Sequence, residues 1–276
     1  MSHTIQYHVD QDGIALLTID LPGKPMNVLT PELMQELGEL VERAAADDAV
    51  KGIVLTSGKQ AFIAGADIKD MVTAYDRGIT PREGSEFSRG LNRTLRRMET
   101  CGKPVAAAIN GLALGGGLEV CLACHYRVLA DDPKAVLGFP EVNIGLLPGI
   151  GGTQRTPRLI GFRNAATLVL QCRNQKPAEA LKLGLVHELA PAGEVVARAR
   201  RWVLEAGDAV QPWDKKGFRI PHGDLNSPAT AQLFMGGNAL ITKNTRHNYP
   251  APIAAQSAMF EGCMTSIDDG LNIESQ

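Results

Sequence analysis

The sequence predicts an α/β protein with mostly parallel strand pairing and right-handed crossovers. Short β-rich apolar runs alternate with stretches at helical spacing from residue 14 to 206. Two glycine-rich loops, around 111–117 and 146–153, each follow an apolar run. The 276 residues suffice for one large domain, or for one domain with an appended C-terminal piece.

The elements follow in order. Residues 14–19 (IALLTI) read as a strand, closed by the turn signal Pro22-Gly23. Thr30 then Pro31 is a helix start, and Leu33, Leu37, Leu40, Val41 and Ala44 give that helix one apolar face. GIVLT at 52–56 is a buried strand that runs into the loop QAFIAGADIKDM. The spacing of Phe87, Leu91, Leu95 and Met98 predicts a helix over roughly 84–100.

A second apolar strand, 104–109, enters the stretch NGLALGGGLEV, where a helix should begin near Gly116. YRVLA at 126–130 is strand-like, and AVLGFPEV leads to the second glycine loop, LLPGIGGT. Helical stretches follow near 152–160 and 163–171, and another starts at Pro177 and ends near Gly184. LVHEL is a short strand and 193–206 an amphipathic helix. After Gly207 the texture changes: prolines and scattered glycines through 211–252 read as an irregular arm, before a last helix around 253–264. The expected division is a core over 1–206 and a C-terminal arm over 207–276.

Composition narrows the function. A 44% apolar and 21% charged chain is an ordinary soluble globular protein that needs neither metal nor disulfide to build a core. Its net charge of −2 argues against a broad nucleic-acid footprint, so a phosphorylated ligand would need a local basic cluster. No run of 18 apolar residues supports a membrane span, and MSHTIQYHVD lacks the pattern of a secretory leader. Five cysteines, an odd count, fit reduced thiols in the cytoplasm.

Gly115-Gly116-Gly117 immediately precedes a helix, so free N–H groups and the positive helix end point at one spot. That suits a developing oxyanion, for which each donor is worth roughly 3 kcal/mol in the transition state. A tight strand–helix turn without a ligand explains the same glycines. Glu119 falls in the first turn of this helix, and Glu141 follows in GFPEV. Two carboxylates at one site can share a proton and present a water. With 30 acidic residues in the chain, accidental pairs are common, and dipole compensation alone accounts for a glutamate at a helix start.

Three stretches in order, AFIAGADIKDM, INGLALGGGLEVCLACHYRVLA and LGFPEVNIGLLPGIGGTQRTPRLIG, resemble the enoyl-CoA hydratase/isomerase (crotonase) superfamily. The likeness runs from about residue 5 to 206. It implies a crotonase-like spiral of ββα turns and a thioester oxygen held by two backbone N–H groups, those of Ala66 and Gly116. It implies Glu119 as the base side of a water-holding pair and Glu141 as the donor of a proton to Cα. Two extra residues lie between these glutamates, in the DDPK turn, which should leave Glu141 in place. Backbone groups of Ala64, Asp67 and Ile68 would wrap the adenine of coenzyme A. Lys24 and Lys69 are candidates for its phosphates, although each is equally a solvated surface lysine. Leu114, Leu146 and Pro148 would line the acyl channel, or simply pack the core.

The resemblance implies an acyl-CoA thioester as substrate, no separate cofactor, and a homo-oligomer such as a trimer or hexamer. Residues beyond 206 look like the link that follows the hydratase half of a multifunctional fatty-acid oxidation protein. No strand–GxGxxG–helix unit for its dehydrogenase half occurs here. Three functions remain open: hydratase, Δ3-Δ2 isomerase or related enzyme, and non-catalytic acyl-CoA-binding domain.

Other signals are weaker. Cys121-x-x-Cys124-His125 matches the c-type haem attachment pattern, but it falls on an expected buried helix without an export signal. The histidines at 3, 8, 125, 187, 222 and 247 lack ligand spacing, so no metal site is expected. No GxSxG, GxGxxG or GxxxxGK[ST] occurs.

Overall fold

The computed structural model describes residues 3–205, 209–221, 227–246 and 248–276. A hairpin opens the chain: β1 (Ile5–Val9) pairs antiparallel with β2 (Ile14–Ile19). β1 carries Gln6 and His8 among its apolar residues and escapes the sequence reading, because an edge strand needs apolar residues on one face only.

Helix α1 (Pro31–Ala46) starts as expected, with Thr30 Oγ1 accepting from Leu33 N at 3.2 Å. It returns the chain to β3 (Gly52–Ser57), buried along its whole length. Two helices follow, α2 (Ile68–Asp76) and α3 (Pro81–Thr100). α3 begins three residues before the expected start, where Thr80 and Glu83 form a reciprocal capping box.

The chain then builds β4 (Val105–Ile109), the two-residue β5 (Ala113–Leu114), α4 (Gly116–Leu122), β6 (Tyr126–Ala130) and β7 (Leu137–Gly138). A single 3-10 turn, Glu141–Ile144, precedes α5 (Gly152–Ile160), α6 (Phe162–Leu170) and α7 (Pro177–Leu183). β8 (Glu188–Ala190) and α8 (Val195–Glu205) close this part.

The main sheet runs β1-β2-β3-β4-β6-β8, parallel from β2 onward, and β5 and β7 pair as a small separate parallel sheet. Each parallel step carries a crossover, which leaves β3 and β4 covered on both faces and explains their unbroken apolar runs. α8 lies so close to β3 that a side chain at Gly52 would meet Val203 and Pro104 within 2.8 Å.

The boundary expected after residue 206 lies outside the described residues, as do His222 and His247. Beyond it the sequence reading needs correction. Helix α9 (Pro228–Thr245) occupies much of the segment expected as irregular, with Pro228 tolerated in its first turn. α10 (Ala251–Cys263) follows, and α11 (Ile267–Glu274), which was not anticipated, packs with it on α5. No described helix is long and apolar enough to cross a membrane.

Candidate active site

Two neighbouring loops frame the site. The chain leaving β3 runs through Ala61–Asp67 beside the loop from β4 to α4. Ile63 bridges Ala113, and Leu114 N donates to Ile63 O at 3.1 Å. Leu29 locks the first loop, because its N–H donates to Gly65 O at 2.8 Å and its carbonyl accepts from Asp67 N at 3.2 Å. In such a parallel bridge the intervening residue turns its own amide away. Accordingly, Ala66 N donates to no acceptor among the described residues. The Leu29 side chain lies against Gly116, where a Cβ would displace its Cδ1. Gly116 N, at the start of α4, likewise lacks an acceptor among the described residues.

Gly115 turns the chain into α4 at φ 52, ψ −127, a conformation closed to other residues. A side chain there would overlap Glu141 Oε1, so the Glu141 carboxyl sits directly on the glycine loop. The turn that brings it there is an aspartate turn in DDPK: Lys134 N donates to Asp132 Oδ1 and Ala135 N to Asp132 O, both at 2.8 Å.

Glu119, on the first turn of α4, is 2% exposed and accepts from Ile150 N at 2.8 Å and Gly152 N at 2.6 Å. Gly152 opens α5, so the helix dipole adds to the two donors. Burial, then the charges of Glu274 and Glu141, push the Glu119 carboxyl well above the usual range of about 4.5, and the two amides oppose that rise. Burial, with Glu274 repulsion, raises Glu141 to about 7, and its Oε2 is buried without a partner among the described residues. Burial and mutual repulsion raise the carboxyls of Glu119, Glu141 and Glu274 together, which favours a proton held within the cluster.

The structure thus leaves the Ala66 and Gly116 N–H groups without an acceptor among the described residues and brings the Glu141 carboxyl against the glycine loop that opens the Glu119 helix.

The other expected residues flank these two loops and the Glu141 turn. Lys24 Nζ pairs with Asp67, whose Oδ1 accepts from Lys69 N at 3.0 Å and caps α2. Ile68 and Lys69 are exposed on α2. The amides of Ala64 and Asp67 are already spent on Asn27 and Leu29 carbonyls. Ala64 therefore offers a ligand its carbonyl, which accepts no backbone bond among the described residues. Pro148 is buried against Gly152, Leu114 is half-buried, and Leu146 is 37% exposed beyond the Glu141 turn.

The cysteine motif is structural. Cys121 and Cys124 are buried, and burial pushes the Cys124 thiol up to about 12, which makes it inert. His125 Nδ1 accepts from Val105 N, leaving its Nε2 beside Glu99 O at 3.0 Å. Among the described residues no group of three or more His, Cys, Asp or Glu has metal-binding geometry.

The family model described as enoyl-CoA hydratase/isomerase matches residues 10–211, nearly three quarters of the chain. The chain belongs to the enoyl-CoA hydratase/isomerase family. Among curated relatives, the fatty acid oxidation complex subunit alpha of Shewanella amazonensis is 37% identical over 283 residues, and that of Shewanella halifaxensis 38% over 278. Both matches take in this whole chain but only 38% of the relative's length. The solved enoyl-CoA hydratase of Geobacillus kaustophilus superposes with TM-score 0.68 at 25% identity, covering 99% of this chain and 86% of that one. The enoyl-CoA hydratase of Bacillus anthracis superposes with TM-score 0.65 at 26% identity, covering 99% and 88%.

One acid at this candidate site escaped the sequence reading. Glu274, on α11, is 6% exposed and accepts from Gly151 N and Thr153 Oγ1, both at 2.5 Å, and from Thr153 N at 2.9 Å. A signal was present: Ile267, Gly270, Leu271 and Glu274 share the helical spacing of one buried face, on which a glutamate is out of place.

Proposed function

We propose that the protein adds water across the 2,3 double bond of an enoyl-CoA thioester in fatty-acid β-oxidation. One observation supports this reading: the buried Glu119 and the half-buried Glu141, from different elements and repelling one another, stand beside a glycine loop whose Gly116 amide has no acceptor among the described residues. The Ala66 and Gly116 N–H groups hold the thioester oxygen. With the pair's proton on Glu141, Glu119, whose ionised form the Ile150 and Gly152 amides favour, takes a proton from water as the oxygen bonds to C3. The electron pair of the double bond moves onto the thioester oxygen as an enolate. Glu141 then delivers its proton to C2, and the pair regains its starting charge by passing a proton between its members. No cofactor enters these steps.

Lys24 and Lys69, at the mouth, face the phosphates of coenzyme A, with Lys24 exchanging its Asp67 partner for them. Ala64, Asp67 and Ile68 frame the adenine, and Leu114, Leu146 and Pro148 line the acyl path. The chain corresponds to the hydratase portion of its longer relatives, with residues 1–206 as core and 207–276 as an arm, and it assembles as a homo-oligomer. Its five unpaired thiols suit the cytoplasm.

Hydration of crotonyl-CoA, followed by loss of the conjugated thioester absorbance, tests the proposal. Glu119→Gln and Glu141→Gln should each lose at least ~100-fold in kcat. Retention of hydration by both variants rejects the carboxylate mechanism. Loss in only one, with Δ3-Δ2 isomerisation intact, points to a single-base isomerase. An inactive wild type that binds acyl-CoA tightly points to a binding domain.

A further inference from the structure

The segment Ile150–Thr153 is gripped from two sides. The amides of Ile150 and Gly152 donate to Glu119 on α4, at 2.8 and 2.6 Å. The intervening amides of Gly151 and Thr153 donate to Glu274 on α11, at 2.5 and 2.9 Å. Four successive N–H groups thus alternate between two buried carboxylates. Gly151, at φ 104, gives the bend that makes this possible.

The clasp is braced behind. Ser275 Oγ, the next residue, lies 2.8 Å from Ser88 Oγ and accepts from Asn92 Nδ2 at 3.2 Å on α3, and Ser88 donates to Gly149 O at 2.5 Å. Cβ atoms at Gly262 on α10 or Gly270 on α11 would collide with Gln154, so both helices sit tightly on α5. We infer that Glu274 is a positioning residue for the hydration reaction, holding the 150–153 amides in the register that orients Glu119. The inference rests on the proposed role of Glu119.

Burial raises the Glu274 carboxyl, and the bonds it accepts from Thr153 and Gly151, with the charge of Arg155, oppose that rise. It faces Arg155 and Arg158 on α5, Cys263 on α10, Glu119 on α4 and Glu141 in the 3-10 turn. Its charge raises both acids of the pair. Removing that charge should move the whole bell-shaped kcat profile toward lower pH.

Glu274→Gln is nearly isosteric but loses the charge and one acceptor. Its kcat should fall roughly 10-fold to 100-fold with KM changed less than about 3-fold, and both limbs of the profile should move to lower pH. Adding it to Glu119→Gln should cost little more than Glu119→Gln alone, because both act through one group. Glu274→Asp should recover part of the rate. If Glu274→Gln fails to fold, Thr153→Val, which removes the hydroxyl bond to Glu274 together with the bond that hydroxyl accepts from Gln154 Nε2, should show the same kcat loss in smaller measure. Wild-type kcat and pH profile in the folded variant, or fully multiplicative loss in the double variant, overturns the inference. An active Glu119→Gln instead rejects the mechanism on which it rests.

Discussion

A buried carboxyl oxygen without a hydrogen-bond partner is a cost that the fold accepts at Glu141. The sign of its pH effect follows from the raised pKa. In the unfolded chain the group ionises near its ordinary 4.5, and in the folded protein near about 7. Between these values the native state binds the extra proton, so stability is fully present below 4.5 and is lost as pH rises through about 7. A shift of this size amounts to roughly 3 kcal/mol. Glu141→Gln, which cannot ionise, should gain about that much relative to wild type between pH 4 and pH 8. Urea unfolding at a series of pH values reads the difference, and parallel curves for the two proteins would reject a buried, neutral Glu141. At this scale the sequence was partly legible. Glu119 and Glu141 stand in recognisable motifs, whereas their meeting depends on the DDPK turn and on Gly115, which no spacing rule encodes. Glu274 was legible only as a glutamate on a buried helix face, and not its role there, because its partners are backbone amides more than a hundred residues away.

Among elements, α3 and α5 are joined through charge rather than apolar contact alone. Arg155 Nε donates to Glu99 Oε1 at 2.6 Å with both side chains fully buried, and Arg155 Nη1 donates to Ile150 O at 3.0 Å. The same guanidinium therefore steadies the carbonyl of a residue whose amide holds Glu119. Removing one member of a buried pair strands the other, at a cost of roughly 3–5 kcal/mol. Arg96, 3.1 Å from Glu99 Oε2, offsets part of that. Arg155→Met should destabilise by about 3 kcal/mol in a denaturant titration, and a loss under about 1 kcal/mol would mean that Arg96 alone satisfies Glu99. Helices with a conventional buried stripe, such as α1, were legible from spacing. α2 was not, since none of its residues is buried and its cap, Asp67, reads equally well as a loop residue. α9 was obscured by the prolines around it, which mark its first turn rather than an irregular arm.

Over the whole molecule, the parallel order β2-β3-β4-β6-β8 delivers the ends of β3 and β4 side by side, and from there both site loops depart. That order was legible as alternation of apolar runs and helices. The antiparallel edge and the docking of α10 and α11 onto α5 were not, because they depend on long-range packing. The fold thereby sets a gradient of stability: α4 and the 150–153 segment are buried on all sides, whereas α2, at the mouth, buries no residue and leaves Met71, Val72 and Tyr75 exposed. Amide exchange tracks local opening, and elements with few buried contacts open without global unfolding. Amides of β3, β4 and α4 should exchange at the global limit, and those of α2 at least about 100-fold faster. Binding of a non-hydrolysable acyl-CoA analogue should slow α2 and the 63–68 loop selectively, because the mouth residues gain a partner there while the sheet does not. Equal protection across α2 and the sheet, or slowing confined to α9 on ligand addition, would place the ligand entrance elsewhere on the molecule.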